Sequence, residues 1–264
     1  MSNKYSSIIA LQITGLCLFF SCDKNSDDRP SVAQPACRPT SIMFGALESK
    51  YEYNTAGQLI KFTDGITYIK YEYADGKAIK LTYYRNNDEA SVNLTDLIEY
   101  NANGQWIKHS YTVAGTNDKQ ENTAQYDGNG NRIKIITTVN GKSVKTYTFE
   151  YSNGNLTMQI IENDLSYTYE YDLNHENELT NFESLVRFGY TGTQFGMEST
   201  PSKYMLKKVN TFLKGSPTHS ADFHYEYNTK GFPTKLEISG GDLNGDGQVD
   251  AKDIYIWTYQ YDCQ

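Results

Sequence analysis

The chain has 264 residues, with 24 Lys and Arg against 32 Asp and Glu and a net charge of −8. That balance, without any cluster of basic residues, argues against nucleic acid as a partner. With 23 Tyr and 20 Gly but only 6 Pro, the composition is that of strands joined by turns.

The N-terminal stretch predicts where the chain goes. Lys4 supplies a positive start, residues 5–20 (YSSIIALQITGLCLFF) form an uncharged apolar run, and Ser21-Cys22 leads into the acidic DKNSDD. The run is short for a membrane span and has the shape of a signal peptide. A small residue before a cysteine at this point resembles a bacterial lipobox. Residues 1–21 are therefore read as a lipoprotein signal, Cys22 as the lipidated residue and 22–36 as a flexible acidic tether. The body would then be held to a membrane by its acyl chains. An ordinary secretory signal is the alternative. Cys17 is a weaker lipidation candidate, because bulky Leu16 precedes it. Acidic residues just after the cysteine also resemble the surface-export signal of Bacteroidetes-type lipoproteins. This implies an outer-membrane lipoprotein facing the cell exterior, with a periplasm-facing one as the alternative. Two cysteines then remain, Cys37 and Cys263, one at each end of the folded part. In an oxidising compartment they are expected to pair.

From residue 37 onward one phrase recurs. It reads YEYNTAGQLIKF at 51–62, YEYADGKAIKLTY at 71–83, IEYNANGQWIKHSY at 98–111, AQYDGNGNRIKII at 124–136, FEYSNGNLTMQII at 149–161, YEYDLNHENEL at 169–179 and YEYNTKGFPTKLEI at 225–238. A half-phrase, YQYD, ends the series at 259–262. In each phrase apolar and polar residues alternate, as Ile69, Tyr71 and Tyr73 do with Lys70 and Glu72; a period of two marks a half-buried strand. The middle, N-x-x-G, D-G or N-G, tolerates positive φ and closes an antiparallel turn. Each phrase is thus a β-hairpin, and serial hairpins make a meander. The anchoring tyrosines are Tyr53, Tyr73, Tyr100, Tyr126, Tyr151, Tyr171, Tyr227 and Tyr261, mostly at intervals of roughly 20–27 residues. The longer interval after Tyr171 predicts a degenerate repeat plus an insertion.

The phrase Y-x-Y-(D/N)-x-x-G-x-x-x-K resembles the YD repeats of RHS-type secreted proteins. The layout as a whole, with Cys22, Cys37 in CRPTSI and YEYNTKGFPTK at 225–235, resembles uncharacterised Bacteroidetes surface lipoproteins with a YD-like meander. The resemblance implies a fold and carries no activity. The expected fold is all-β, a long antiparallel meander of about 14–16 strands, strongly curved or rolled, since large open sheets rarely stay flat. A transmembrane barrel would need a continuous apolar outer band. The alternate face here carries Lys70, Glu72, Lys80, Lys108 and Lys134, which argues against one.

Near the end of the chain, residues 242–253 read DLNGDGQVDAKD. Asp242, Asn244, Asp246, Gln248 through its carbonyl, Asp250 and Asp253 occupy the ligand positions of an EF-hand loop, with Gly247 at its sharp turn. Such an oxygen array suits Ca²⁺. Asp at the last position is dockerin-like, and a divergent single-loop dockerin is one alternative. A dockerin loop opens a helix, however, and IYIWTYQYDC has the β-branched and aromatic make-up of a strand. The loop is therefore expected as an insertion in the last hairpin. There calcium and the disulfide would secure the same C-terminal edge.

No nucleophile elbow, phosphate loop, dinucleotide fingerprint or zinc spacing occurs among the motifs. His109, His175, His219 and His224 show no metal pattern, and His219 and His224 are read as surface or packing residues. The chain is read as a non-catalytic, calcium-stabilised surface lipoprotein that binds a glycan or protein ligand or serves structurally. A carboxylate-based hydrolase and a lipid carrier are the alternatives. Trp106 and Trp257 are the aromatics to follow, because a Trp exposed on a concave face would favour binding.

Overall fold

The computed structural model describes residues 37–65, 67–85, 88–115, 118–162, 164–177, 202–240 and 254–263. The chain divides into two compact units, Met1–Ala33 and Gln34–Gln264, and all described residues fall in the second. Every regular element among them is a strand: β1 Cys37–Phe44, β2 Leu47–Tyr53, β3 Leu59–Thr63, β4 Thr67–Ala74, β5 Lys77–Arg85, β6 Val92–Tyr100, β7 Trp106–Val113 and β8 Lys119–Tyr126, followed by β9 Arg132–Val139, β10 Lys142–Ser152, β11 Asn155–Ile161, β12 Leu165–Glu176, β13 Tyr204–Leu213, β14 Ser216–Tyr227, β15 Pro233–Ser239 and β16 Tyr255–Cys263. Each strand pairs antiparallel with its sequence neighbours, and β1 also pairs with β16. The meander is therefore a closed barrel of sixteen strands. This corrects the expectation of a merely curved or rolled sheet. Closure leaves no strand edge with unpaired backbone groups.

The hairpin turns form as the residues require. Asp75-Gly76, Asn140-Gly141, Asn153-Gly154 and Lys214-Gly215 have positive φ at both positions, the two-residue turn that matches strand twist. The N-x-x-G phrases close differently. At Asn54 the side-chain Oδ1 accepts the Gln58 N–H at 2.9 Å while its carbonyl accepts the Gly57 N–H at 2.9 Å. Asn101, Asp127 and Asn228 repeat the arrangement.

One end of the barrel holds all the anchoring tyrosines. Just before each of them the pairing slips by one residue, between Glu52 and Tyr53, Glu72 and Tyr73, Glu99 and Tyr100, Gln125 and Tyr126, Glu150 and Tyr151, Glu170 and Tyr171, and Glu226 and Tyr227. The bulge aims the tyrosine along the inner wall toward the preceding hairpin. Six of the hydroxyls donate to a backbone carbonyl there. Tyr53 reaches Pro39 O, Tyr73 Leu59 O, Tyr100 Ala78 O and Tyr126 Trp106 O, each at 2.8 Å; Tyr171 reaches Leu156 O at 2.7 Å and Tyr261 reaches Pro233 O at 2.6 Å. Burial pushes the Tyr100 hydroxyl up to about 12, which keeps it a donor at any physiological pH.

The seam between β1 and β16 is built as an eighth copy of the same unit. Tyr261 pairs with Pro39 as Tyr53 pairs with Leu59, with a bulge just beyond. Where other units have a turn, this one has the disulfide Cys37–Cys263. The half-phrase YQYD is completed by β1, the first strand of the described residues. Among the described residues the step from Tyr171 to Tyr227 is a single unit, β12 pairing with β13 and β13 with β14, so they hold no additional repeat there; residues 178–201 lie outside the described residues. Closing so long a loop by a disulfide stabilises by about 4–5 kcal/mol in the chain-entropy account.

The wall is apolar inside and charged outside. Inward side chains form two packed groups, one with Tyr51, Leu59, Phe62, Ile69, Tyr71, Leu81 and Ile98, the other with Ile135, Phe149, Leu156, Tyr169, Val209 and Phe223. Their near-complete burial means that side chains fill these parts of the interior, where a wide barrel could have held a channel. Outside, cross-strand ion pairs cover the wall: Glu52–Lys61 at 3.1 Å, Glu72–Lys80 at 2.7 Å, Glu99–Lys108–Glu121 at 3.3 and 3.0 Å, and Glu226–Lys235 at 3.0 Å. Each exposed pair adds little stability. Together they give the outer wall a charged component, beside the exposed apolar side chains of Ile60, Ile79, Leu97, Ile107 and Ile133.

The tyrosine bonds are open to direct test. Tyr73→Phe is expected to lower the free energy of unfolding by about 1 kcal/mol, read by denaturant titration. Tyr84→Phe, whose ring stacks on Tyr68 on the outer wall, is expected to leave it within error.

Candidate ligand-binding wall

The site grows from the alternation of β16. Tyr255, Trp257, Tyr259 and Tyr261 point inward and are only partly buried, whereas Ile256, Thr258 and Gln260 point outward and are exposed. Strand alternation with a step of about 6.7 Å per inward residue stacks these rings in a row. Tyr255 and Trp257 lie 6.0 Å apart at 78°, and Tyr259 and Tyr261 lie 6.4 Å apart at 16°. Neighbouring strands extend the row sideways. Phe44 on β1 stacks on Trp257 at 4.8 Å and meets Tyr255 edge-on at 5.6 Å. Leu236 on β15 pairs opposite Trp257, and Tyr225 and Tyr227 on β14 lie 6.0 Å apart.

The four rings of β16 are partly buried, as are the inward Tyr53, Tyr73, Tyr100 and Trp106 elsewhere on the wall. Ile69, Leu81 and Val209 are 0–1 % exposed, while Phe44 is 37 % and its hairpin partner Leu47 is 54 % exposed. Both lie at the mouth opposite the tyrosine end. The inner faces of β15 and β16 carry no charge: Lys235, Glu237 and Asp262 fall on the outward register or at the strand's end. The wall can therefore offer flat apolar ring faces with phenolic edges, in a neutral setting.

The two tryptophans have different neighbours. Trp106 on β7 lies against the core, with the His109 ring edge-on at 4.5 Å and the Arg132 guanidinium 5.1 Å above it. Arg132 is itself buried and also sits 5.4 Å from the Phe149 ring. Both tryptophans are partly buried and pack against the same core cluster; Trp106 is held by His109 and Arg132, and Trp257 by Phe44.

A buried pair escapes the sequence motifs. His109 Nδ1 lies 2.8 Å from Asp96 Oδ2, with the two residues 1 % and 0 % exposed. β6 and β7 bring them together across the hairpin, at a spacing that no linear pattern marks. Asp96 Oδ1 has no hydrogen bond among the described residues. Burial pushes the Asp96 carboxyl up, against the opposing pull of His109. Asp96 is the only carboxylate in the core of the described residues, so no buried acid pair of the glycosidase kind is formed there. His219 and His224 are exposed on β14, as read from the sequence.

Of the residues expected to form sites, Cys37 and Cys263 are joined at the tyrosine end. Cys22 and the calcium ligands Asp242, Asn244, Asp246, Gln248, Asp250 and Asp253 lie outside the described residues. The chain around the loop is informative all the same. Ile238 pairs with Tyr255, so the loop interrupts the β15–β16 hairpin, and a strand follows it where a dockerin would have a helix. β15 ends and β16 begins at the mouth opposite the disulfide, so residues 242–253 and Cys263 flank the two ends of β16.

No known sequence family and no curated protein sequence matches the chain. Among solved structures it is similar to a porin-like protein from Bacteroides uniformis, at 15 % identity and TM-score 0.56, over 85 % of this chain and 96 % of that one. It is also similar to a porin-like protein from Bacteroides vulgatus, at 14 % identity and TM-score 0.50, over 86 % and 99 %. These likenesses establish the class: an antiparallel β-barrel of the fold seen in those two proteins.

The Asp96 carboxyl gives a pH prediction. It binds its proton more tightly folded than unfolded, so stability falls as pH rises from the unfolded toward the folded pKa. Asp96→Asn removes this titration. The variant is expected to gain stability relative to wild type as pH is raised from about 4, read from thermal melts across pH.

Proposed function

We propose that the chain is a non-catalytic binding barrel, held at the outer-membrane surface by a lipid on Cys22, with the inner wall around β16 as its ligand face and a glycan as the ligand. The observation that carries this reading is the row of partly buried aromatics on the inner face of β16, with Trp257 stacked on Phe44 near the mouth. Aromatic faces suit the apolar faces of sugar rings, and tyrosine edges can exchange hydrogen bonds with hydroxyls. The filled interior favours a binder over a channel. The charged outer wall favours attachment through an anchor over insertion of the strands. The description of both structural neighbours as porin-like is consistent with an outer-membrane location.

Calcium fits the same reading. The acidic residues of 242–253 join the two strands that carry Leu236 and Trp257. A bound cation would relieve their repulsion and order the start of β16. Calcium would then act on the wall from the mouth and the disulfide from the other end.

Glycan-array screening of the purified chain, followed by tryptophan fluorescence titration, tests the proposal. Binding is expected, with Trp257→Ala weakening it at least tenfold and Trp106 remaining as the unresponsive emitter. Chelation of calcium is expected to lower the melting temperature by several degrees and to weaken binding. A chain that binds no glycan, or that binds equally well with Trp257→Ala, contradicts the reading.

A further inference from the structure

We infer that the tyrosine end of the barrel faces a lipid bilayer and lies on its surface through a half-ring of outward isoleucines, Ile60, Ile79, Ile107 and Ile133. The inference rests on the lipid-anchored reading and adds which end of the body meets the membrane.

One position recurs in every unit. Where the pairing slips before an anchoring tyrosine, the facing strand carries one extra residue. Ile60 is that residue opposite Glu52 and Tyr53, and Ile79, Ile107 and Ile133 are its counterparts in the next three units. The remaining units place Thr157, Lys207, Thr234 and, at the seam, Thr40 there. The isoleucines fall on β3, β5, β7 and β9, one contiguous side of the barrel, and the polar residues fall on the other side. All four isoleucines are 36–39 % exposed, and Leu97 on β6, between Ile79 and Ile107, is 50 % exposed.

The fold itself favours threonine at this position. Thr157 Oγ1 donates to Glu150 O at 3.1 Å and Thr234 Oγ1 to Glu226 O at 3.2 Å, each across the slip. An isoleucine has no hydroxyl to make that bond, and it leaves apolar surface in water. Exposed apolar residues grouped on one side of a body mark an interaction surface.

Position and charge select a bilayer as what covers it. The described residues begin at Cys37, which the disulfide holds at this same end, and Cys37 follows Cys22 by 15 residues. A coil of that length spans roughly 20 Å, so a lipid on Cys22 keeps this end near the membrane and turns the mouth away. The lysines that follow the isoleucines are matched by glutamates, Lys61 by Glu52, Lys80 by Glu72 and Lys108 by Glu99. The half-ring therefore makes its contact through apolar side chains and not through an excess of one charge. The turns beside Ile60 and Ile107, NTAGQ at 54–58 and NANGQ at 101–105, hold no charged residue. They can enter the headgroup layer without burying a charge, while the isoleucines reach the acyl boundary about 5–10 Å down. Nearer the mouth the outer wall carries ion pairs such as Lys70–Glu89 at 2.6 Å, so the apolar strip does not continue into the band a spanning barrel needs.

The test uses vesicles of phosphatidylethanolamine and phosphatidylglycerol and two forms of the protein, the lipidated chain and the chain from residue 22 with Cys22→Ser. The unlipidated form is expected to partition weakly and reversibly onto the vesicles. Changing all four isoleucines to threonine, the residue found on the opposite side, is expected to lower that partition at least fivefold. Ile107→Thr alone serves as a second variant if the fourfold change melts at a lower temperature. In the lipidated chain, hydrogen exchange on vesicles is expected to slow at residues 54–58 and 101–105 and to stay unchanged at the mouth turns 45–46 and 140–141. Equal partition of variant and wild type, or protection at the mouth in place of the tyrosine end, would overturn the inference. So would resistance of the unlipidated form to alkaline carbonate extraction, which marks inserted strands. A dimer that the fourfold variant abolishes, with no vesicle binding, would overturn it and assign the half-ring to a second copy of the chain. If the unlipidated form partitions as expected but mass spectrometry finds no lipid on Cys22, the half-ring stands as a membrane-contacting surface and the anchored reading falls. If the lipid is present and the unlipidated form ignores vesicles, the anchored reading stands and this inference falls.

Discussion

The barrel depends on the reach of a tyrosine hydroxyl to the backbone of the hairpin before it. A bulge places the ring and a carbonyl receives the proton, and the arrangement recurs around the wall from Tyr53 to Tyr261. Sheet hydrogen bonds alone fix each strand to its immediate neighbour. The tyrosine adds a side-chain bond to the adjacent strand of the preceding hairpin, so it ties successive hairpins together at one end of the barrel. Repeating one tie around a meander helps turn it into a ring. Tyr53 reaches Pro39, on the strand that Tyr261 itself pairs with, so the chain of contacts runs across the seam. Tyr227 shows the limit of the rule: its ring stacks on His175 at 4.2 Å instead.

The seam is where the regularity is weakest, and the partly buried aromatics of β16 lie beside it. Seven units close their tyrosine end with a continuous chain; the eighth is assembled from the two ends of the fold and joined by a disulfide. Fully buried side chains occur on β1 and β15, whereas the inward rings of β16 are all partly buried. The rings at the seam remain inward by strand alternation yet are not fully covered by a facing layer. The seam and the candidate binding wall are thus one feature of the fold.

Much of this was legible in the sequence because it is local. Alternation around Ile69, Tyr71 and Tyr73 marks strands, Asn54 and Asp75 mark turns, and the YEY phrases mark the register. The pairing of Cys37 with Cys263 follows from their number and placement. Closure was not legible, since alternation reports which face is buried and not whether the last strand finds the first. The Asp96–His109 pair was hidden because it forms across two strands. The neighbours of Trp106 and Trp257 were likewise hidden, since His109 and Arg132 meet the one and Phe44 the other only through strand pairing. The calcium loop is the reverse case: its ligands are read from residues 242–253 alone, and the structure contributes the hairpin that the loop interrupts.

The central claim is that this barrel wears its charge outside and its aromatics inside. The most direct measurement is the state in solution, without detergent, of the chain from residue 22 with Cys22→Ser, which removes the lipid attachment. Sedimentation should show a single small species with a β-type circular dichroism spectrum and cooperative melting. Aggregation without detergent, with folding restored only in micelles, would contradict the account.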